Sequence, residues 1–215
     1  MSRQRKHIPI EKSYAVIVDG ETEQWYLQML RKNEPSLNIA IEPKIHVKQS
    51  LDAQFQEVKD ACATHDKVFW MLDLDTILKE SKIVKKGIAP LNLLENYLKA
   101  ETDNDKLFTI INVPCLEFWF LLHYKYTSRF YKDFDELKSD LKKHLRDYEK
   151  NKDYFVKGPK DIYVRLKDML KTAIDNSQKL GNFKFDNPER GISEFFSCSM
   201  KYRFLNSFQF QDVVH

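Results

Sequence analysis

A chain of 215 residues that is 42% hydrophobic is long enough to bury one sizeable core and has no need of disulfide staples. A formal net charge of +3 gives little support on its own for a nucleic-acid partner. Three scattered cysteines, Cys62, Cys115 and Cys198, with no CxxC or HExxH pattern, suit buried thiols in a reducing cytoplasm rather than bridges or a zinc site. No segment reaches the roughly 18 uninterrupted apolar residues of a membrane span, and the basic start MSRQRKHIPI lacks a signal peptide's apolar run, so a cytoplasmic protein with no membrane attachment is expected.

In chain order, Tyr14 to Val18 is short and β-branched and reads as a buried strand. ETEQWYLQMLRK after it carries apolar residues at 25, 26, 27, 29 and 30, a helical stripe. LNIAIEPKIHV alternates around Pro43 and predicts a second strand, interrupted or at a sheet edge because proline donates nothing to the ladder. Residues 50 to 65 place Leu51, Phe55, Val58, Ala61 and Cys62 at helical spacing behind a Ser50 cap. Val68 to Leu72 is continuously apolar, as a strand covered on both faces must be. The next helix is expected at about residues 89 to 100, opening with Pro90, and KLFTIIN is a fourth strand.

This alternation predicts an α/β fold, a mainly parallel sheet with crossover helices, followed by a helical C-terminal part. Stretches 133 to 149 and 159 to 177 carry amphipathic stripes, and 191 to 208 is ambiguous. The expected organisation is a basic tail over 1–11, an α/β core over 12–127, and a helical extension over 128–215 packed on the same core. Five glycines, none in GxGxxG or GxxxxGK[ST], reject dinucleotide-binding and P-loop readings.

The strand exits are acidic. In an open parallel sheet the residues past the C-terminal strand ends gather on one edge, where such folds place their ligands. Asp19 ends the first strand, Gly20 allows a tight exit, and Glu23 lies in the first turn of the following helix. Asp73 and Asp75 end the third strand; Glu117 follows the fourth, with Pro114 suited to a first helical position. Five carboxylates on one rim repel unless protons, cationic side chains or a divalent metal intervene. Mg²⁺ or Mn²⁺, hard cations that prefer carboxylate and water oxygens, are the natural occupants. The plainer account is that acids in a first helical turn favour the helix dipole, which covers Glu21, Glu23 and Glu117. It covers Asp73 and Asp75 less well, since no helix is expected directly after them.

The pattern resembles the Toprim catalytic domain of topoisomerases, DnaG-type primases and OLD-family nucleases: VDGETE (18–23) is similar to its first acidic element and MLDLD (71–75) to its Asp-x-Asp strand end. Within that group the chain looks like the RloB-like proteins, related to the AbiLii abortive-infection proteins and found beside phage-defence genes. NVPCLEFWFLLHY (112–124) and YFVK (154–157) are similar to two further blocks of that family. One departure is Asp19, where the family usually has glutamate. The resemblance implies a Toprim-like fold and metal-dependent phosphodiester cleavage of nucleic acid, RNA or DNA, with a possible defence-system partner protein. Asp19, Glu23, Asp73 and Asp75 are then the candidate metal ligands, and Glu117, His123 and Lys157 the candidates for catalysis. His123 also reads as a core histidine, and Lys157 as a surface lysine.

Two rivals stand beside this reading. DLDTIL is similar to the first motif of haloacid-dehalogenase-type phosphatases, although that family opens its fold with this strand. A non-catalytic, Toprim-shaped nucleic-acid-binding partner would fit the Asp19 departure. Residues 125–171, with 14 Lys/Arg against 9 Asp/Glu and interspersed tyrosines, are either a route for a nucleic-acid backbone or a solvated helical surface.

Overall fold

The computed structural model describes residues 13–35, 39–42, 49–157, 159–181, 183–186 and 192–193. Strand β1 (Tyr14–Val18) leads into helix α1 (Glu21–Asn33), β2 (Ile39–Glu42), α2 (Leu51–Thr64) and β3 (Lys67–Asp73). Helices α3 (Leu74–Ile83) and α4 (Pro90–Ala100) connect β3 to β4 (Leu107–Val113). The sheet order is β2-β1-β3-β4-β5, parallel throughout except for the short antiparallel edge strand β5 (Ile192–Ser193). The α/β fold with a mainly parallel sheet is therefore as expected, and β2 lies at an edge. Pro43, Ile45 and Val47, the rest of the predicted second strand, fall outside the described residues, as do the basic tail, Cys198 and all of 194–215.

Side chains alternate between the two faces with the strand period of two. Val16, Val18, Phe69, Met71, Phe108 and Ile110 face one layer, together with Tyr26, Leu27 and Leu30 of α1. Ala15, Ile17, Val68, Trp70, Leu72 and Ile111 face the other, against Phe55 and Val58 of α2, Ile77 of α3 and Leu94 of α4. Both faces are covered, which is why the central strands read as unbroken apolar runs. Helices on opposite faces also follow from strand order, since right-handed crossovers from β1 to β2 and from β2 to β3 travel in opposite directions.

The first layer is completed by α5 (Leu116–Leu122), α6 (Phe134–Leu141), α7 (Lys152–Val156), α8 (Ile162–Leu166) and α9 (Leu170–Leu180), with a 3₁₀ turn (Lys167–Met169) before the last. All seven residues of α5 are buried, the mark of a helix packed on every side. Leu137, Leu141, Tyr148, Phe155, Ile162 and Ile174 join the same apolar cluster as α1 and the sheet. Among the described residues no helix is long and apolar enough to cross a membrane.

Three local expectations need correction. A helix does follow Asp73 directly: α3 starts at Leu74, with Asp73 at the N-cap position but making no side-chain cap bond. Pro114 is not a first helical residue; Cys115 occupies the N-cap of α5, and the Pro114 carbonyl accepts from the Asp75 N–H at 3.1 Å. The stripe over 133–149 ends as regular helix at Leu141. Leu145 and Tyr148 keep their inward spacing through turns whose N–H groups bond back to Leu141 and Leu145.

Candidate metal centre

Three neighbouring strands deliver the acids. The register sets Val18 beside Met71 and Asp73 beside Asn112, so the exits of β1, β3 and β4 lie at nearly one level on the carboxyl edge, the ligand edge of an open parallel sheet. Helix α1 opens at once behind Gly20 and turns Glu23 inward, and α5 does the same with Glu117; their exposures are 2% and 0%. First-turn glutamates that serve only the helix dipole remain in solvent, so dipole compensation does not account for these two.

An open cavity of about 510 Å³ sits on this edge, lined by Asp19, Glu21, Glu23, Asp73, Asp75 and Lys150, with Gly20, Thr22, Trp25, Thr76 and Cys115. Glu117 lies directly beneath. Its Oε1 accepts from the Tyr148 hydroxyl at 2.8 Å and pairs with the Lys150 ammonium at 3.0 Å; the Cys115 thiol lies close to its carboxylate. Asp73, Cys115 and Glu117 each offer a ligand atom, and these atoms lie within 4.8 Å of one another.

The electrostatics are strained. Burial, then the neighbouring Glu117, pushes Glu23 up to about 7. Burial with Glu23 and Glu117 holds Asp73 well above the usual carboxylate range. Glu23 and Asp73 act on each other directly, so a proton on one would relieve the other. Burial by itself would lower Lys150, but Glu117, Cys115 and Asp73 outweigh it and raise the ammonium above its ordinary value. Burial and the two carboxylates push the Cys115 thiol up, so it stays protonated. The Lys150 ammonium thus offsets part of the charge of a group that would otherwise repel.

That compensation is incomplete. Glu23 Oε1, Asp73 Oδ1 and Glu117 Oε2 are buried and have no hydrogen-bond partner, which costs about 1–3 kcal/mol for each such group and more where it is charged. Orphaned carboxylate oxygens on neighbouring acids, two of which line the cavity, are what a divalent cation would satisfy. The group of Asp73, Glu117 and Cys115 could therefore hold a metal ion, with Glu23 lining the same cavity beside Asp73.

Asp19 and Asp75 line the same cavity with partners of their own. Asp19 Oδ1 accepts from Gln54 Nε2 at 2.6 Å, and Gln54 Oε1 in turn accepts from the Trp70 indole at 3.2 Å. Asp75 pairs with Lys79 at 2.9 Å, one turn along α3. Gly20 has an ordinary extended conformation (φ −134°, ψ 164°), so its lack of a side chain is not needed for the turn. A Cβ there would collide with Glu23 Oε2 and lie 3.4 Å from Glu23 Cδ; the glycine makes room for the inward carboxylate.

Of the seven predicted site residues, the structure brings together Asp19, Glu23, Asp73, Asp75 and Glu117. His123 and Lys157 do not line the cavity. His123 is buried, donates from Nδ1 to the Trp119 carbonyl at 2.9 Å, meets the Trp119 ring edge-on, and is lowered by burial to about 4. Lys157 is exposed and pairs with Asp153 at 2.9 Å. Spacing does not single out Lys150 and Tyr148, because they reach Glu117 through tertiary packing; their trace in the sequence is the basic, tyrosine-bearing stretch, and that of Cys115, the N-cap two residues before Glu117, is NVPCLE.

A parallel sheet with a metal-ready carboxylate cluster at three adjacent strand exits defines an α/β protein with its site on the carboxyl edge. The model of the RloB-like protein family matches residues 14–201, and the chain belongs to that family. No curated protein and no solved structure matches it.

Proposed function

We propose that this RloB-like protein is a Mg²⁺- or Mn²⁺-dependent nuclease that hydrolyses phosphodiester bonds, as its Toprim-like pattern implies, and acts in phage defence, as its RloB-like resemblance implies. The observation that carries the reading is the trio of buried, unpartnered carboxylate oxygens on Glu23, Asp73 and Glu117 at an open cavity on the carboxyl edge. Asp73, Glu117 and Glu23 would hold the ion, with Asp19 and Asp75 beside them. When bound, it supplies Lewis-acid polarisation of the phosphate and a bound water of lowered pKa.

The chain's own residues do the rest. Lys150, anchored on Glu117 yet 37% exposed, presents an ammonium at the cavity wall for a phosphate oxygen as negative charge develops on it. Tyr148 holds Glu117 in place by donating to it, and the Cys115 thiol, pushed up by burial, stands protonated beside it. A hard cation leaves that thiol protonated, because carboxylate and water oxygens suit it better than sulfur. Trp25, half-buried at the cavity wall against Phe155, offers an apolar face beside the acids.

The test is cleavage of a panel of single-stranded RNA, transfer RNA, single-stranded DNA and duplex DNA in Mg²⁺, Mn²⁺ or EDTA, with Asp73→Asn as control. Fragments are expected with metal from the unaltered protein, and none with EDTA or from the variant. An intact panel under both metals, or equal cleavage by the variant, overturns the proposal.

A further inference from the structure

Outside the cavity, residues 82–88 (KIVKKGI), the end of α3 and the loop that leads to α4, form a run of seven consecutive exposed residues. Ile83, Val84 and Ile88 are 74%, 39% and 59% exposed. Isolated exposed aliphatics are ordinary, but three grouped on one projecting loop mark a contact surface. Beside them stand Lys82, Lys85 and Lys86, none paired with an acid among the described residues, and the sequence has no Asp or Glu from Ser81 to Leu94. Gly87 turns the loop with φ +93°, a conformation that L side chains rarely adopt.

Topology puts this loop on the side of the acidic cavity. Helix α3 begins at the carboxyl edge, immediately after Asp73. Because β4 is parallel to β3, α4 must descend to the opposite edge before β4 begins, so its N-terminus lies toward the carboxyl side. The Ser81 hydroxyl accepts from the Leu91 N–H at 2.9 Å and ties the end of α3 to that N-terminus. Ten helical residues separate the loop from Asp73 by about 15 Å along α3, the span of about four nucleotides of one strand.

We propose that the 82–88 loop is a nucleic-acid contact: Lys82, Lys85 and Lys86 take backbone phosphates flanking the cleavage position, while Ile83 and Ile88 pack against sugars or unstacked bases. This rests on the nuclease reading above. A cavity of carboxylates repels phosphates, so a polyanion needs cations outside the cavity to bring it in. The loop supplies them without acids beside them, whereas Lys142 and Lys143 of the basic stretch are paired with Glu149 and Asp140. Exposed aliphatics next to lysines also suit a strand whose bases are open to apolar wedges.

The experiment compares the full-length protein with Lys82→Ala/Lys85→Ala/Lys86→Ala and with Ile83→Ser/Ile88→Ser. Binding to fluorescein-labelled single-stranded and duplex RNA and DNA is followed in EDTA across a salt series, and cleavage is measured separately in Mn²⁺. The triple lysine variant is expected to keep its melting temperature and lose at least tenfold in affinity. Its slope of log affinity against log salt should flatten by about 2, at about 0.7–0.9 per phosphate contact. The isoleucine variant is expected to lose affinity at an unchanged slope. Unaltered affinity and slope in both variants overturn the loop proposal, whether or not the unaltered protein cleaves. Binding that depends on the loop, without cleavage in metal, leaves the loop standing and removes the nuclease. Lysine-dependent binding to vesicles of equal parts phosphatidylserine and phosphatidylcholine, with nucleic-acid binding unaffected, overturns the proposal in favour of a membrane surface.

Discussion

The Lys150 ammonium lies 3.0 Å from Glu117 Oε1 and, among the described residues, is the cationic group lining the acidic cavity. It acts as a tethered counter-ion: one positive charge against the carboxylates of Glu117, Asp73 and Glu23. Its position predicts that metal and lysine share the same burden.

Lys150→Met keeps the aliphatic stem and removes the charge. Breaking a fully buried ion pair from one side costs about 3–5 kcal/mol; with the lysine side chain 37% exposed, the expected loss is about 1–2 kcal/mol. The melting temperature should fall without metal, and Mn²⁺ should raise it by more than in the unaltered protein, because the ion then replaces the missing cation. Melting curves with and without Mn²⁺ check this. An unchanged metal-free melting temperature would contradict the counter-ion role.

Gly20→Ala should act through Glu23 alone, since residue 20 is in extended backbone open to any residue and the new methyl meets the Glu23 carboxylate. A loss of about tenfold in Mn²⁺ affinity is expected, about 1.4 kcal/mol. In a Glu23→Ala background the same substitution should cost nothing, and a double-mutant cycle reads the coupling. Equal effects in both backgrounds would place the strain in the backbone.

His123 predicts an acid-sensitive core. Its folded-state pKa of about 4 lies below the reference value of 6.5, so between those values the unfolded chain takes up a proton that the folded protein refuses. Stability should fall as pH drops from 6.5 to 4, by on the order of 3 kcal/mol at the lower limit. Urea midpoints over this range should drop less steeply in His123→Phe, where nothing titrates at that position. Parallel pH profiles for the two proteins would refute the assignment.

Much of the frame was legible because one kind of physics wrote it. Tyr14–Val18 and Lys67–Asp73 are buried on both faces, and burial leaves an unmistakable apolar run; the acids that stop those runs announced the edge where β1, β3 and β4 converge. Helix α3 is hidden in the sequence because Leu74–Ile83 opens on Asp73 and Asp75, which look like the end of the strand before it. The turns over 142–151 defied their amphipathic spacing because Tyr148 and Lys150 are drawn in to Glu117, a long-range contact that no local period encodes. For the same reason Lys157 carries a local signal, as the last residue of YFVK, whereas Lys150 is marked only as one lysine of a basic stretch. His123 shares a helix with Glu117 but points elsewhere, as six residues of helical rotation require.

The most direct test of the metal centre is the melting temperature of Asp73→Asn beside the unaltered protein, each with and without Mn²⁺. Asparagine keeps the shape and removes one of the mutually repelling carboxylates. Without metal the variant should therefore melt at or above the unaltered protein, while Mn²⁺ should raise the unaltered protein alone. A variant that melts lower in the absence of metal and still gains as much from Mn²⁺ would contradict the account, and place the ion away from this cluster.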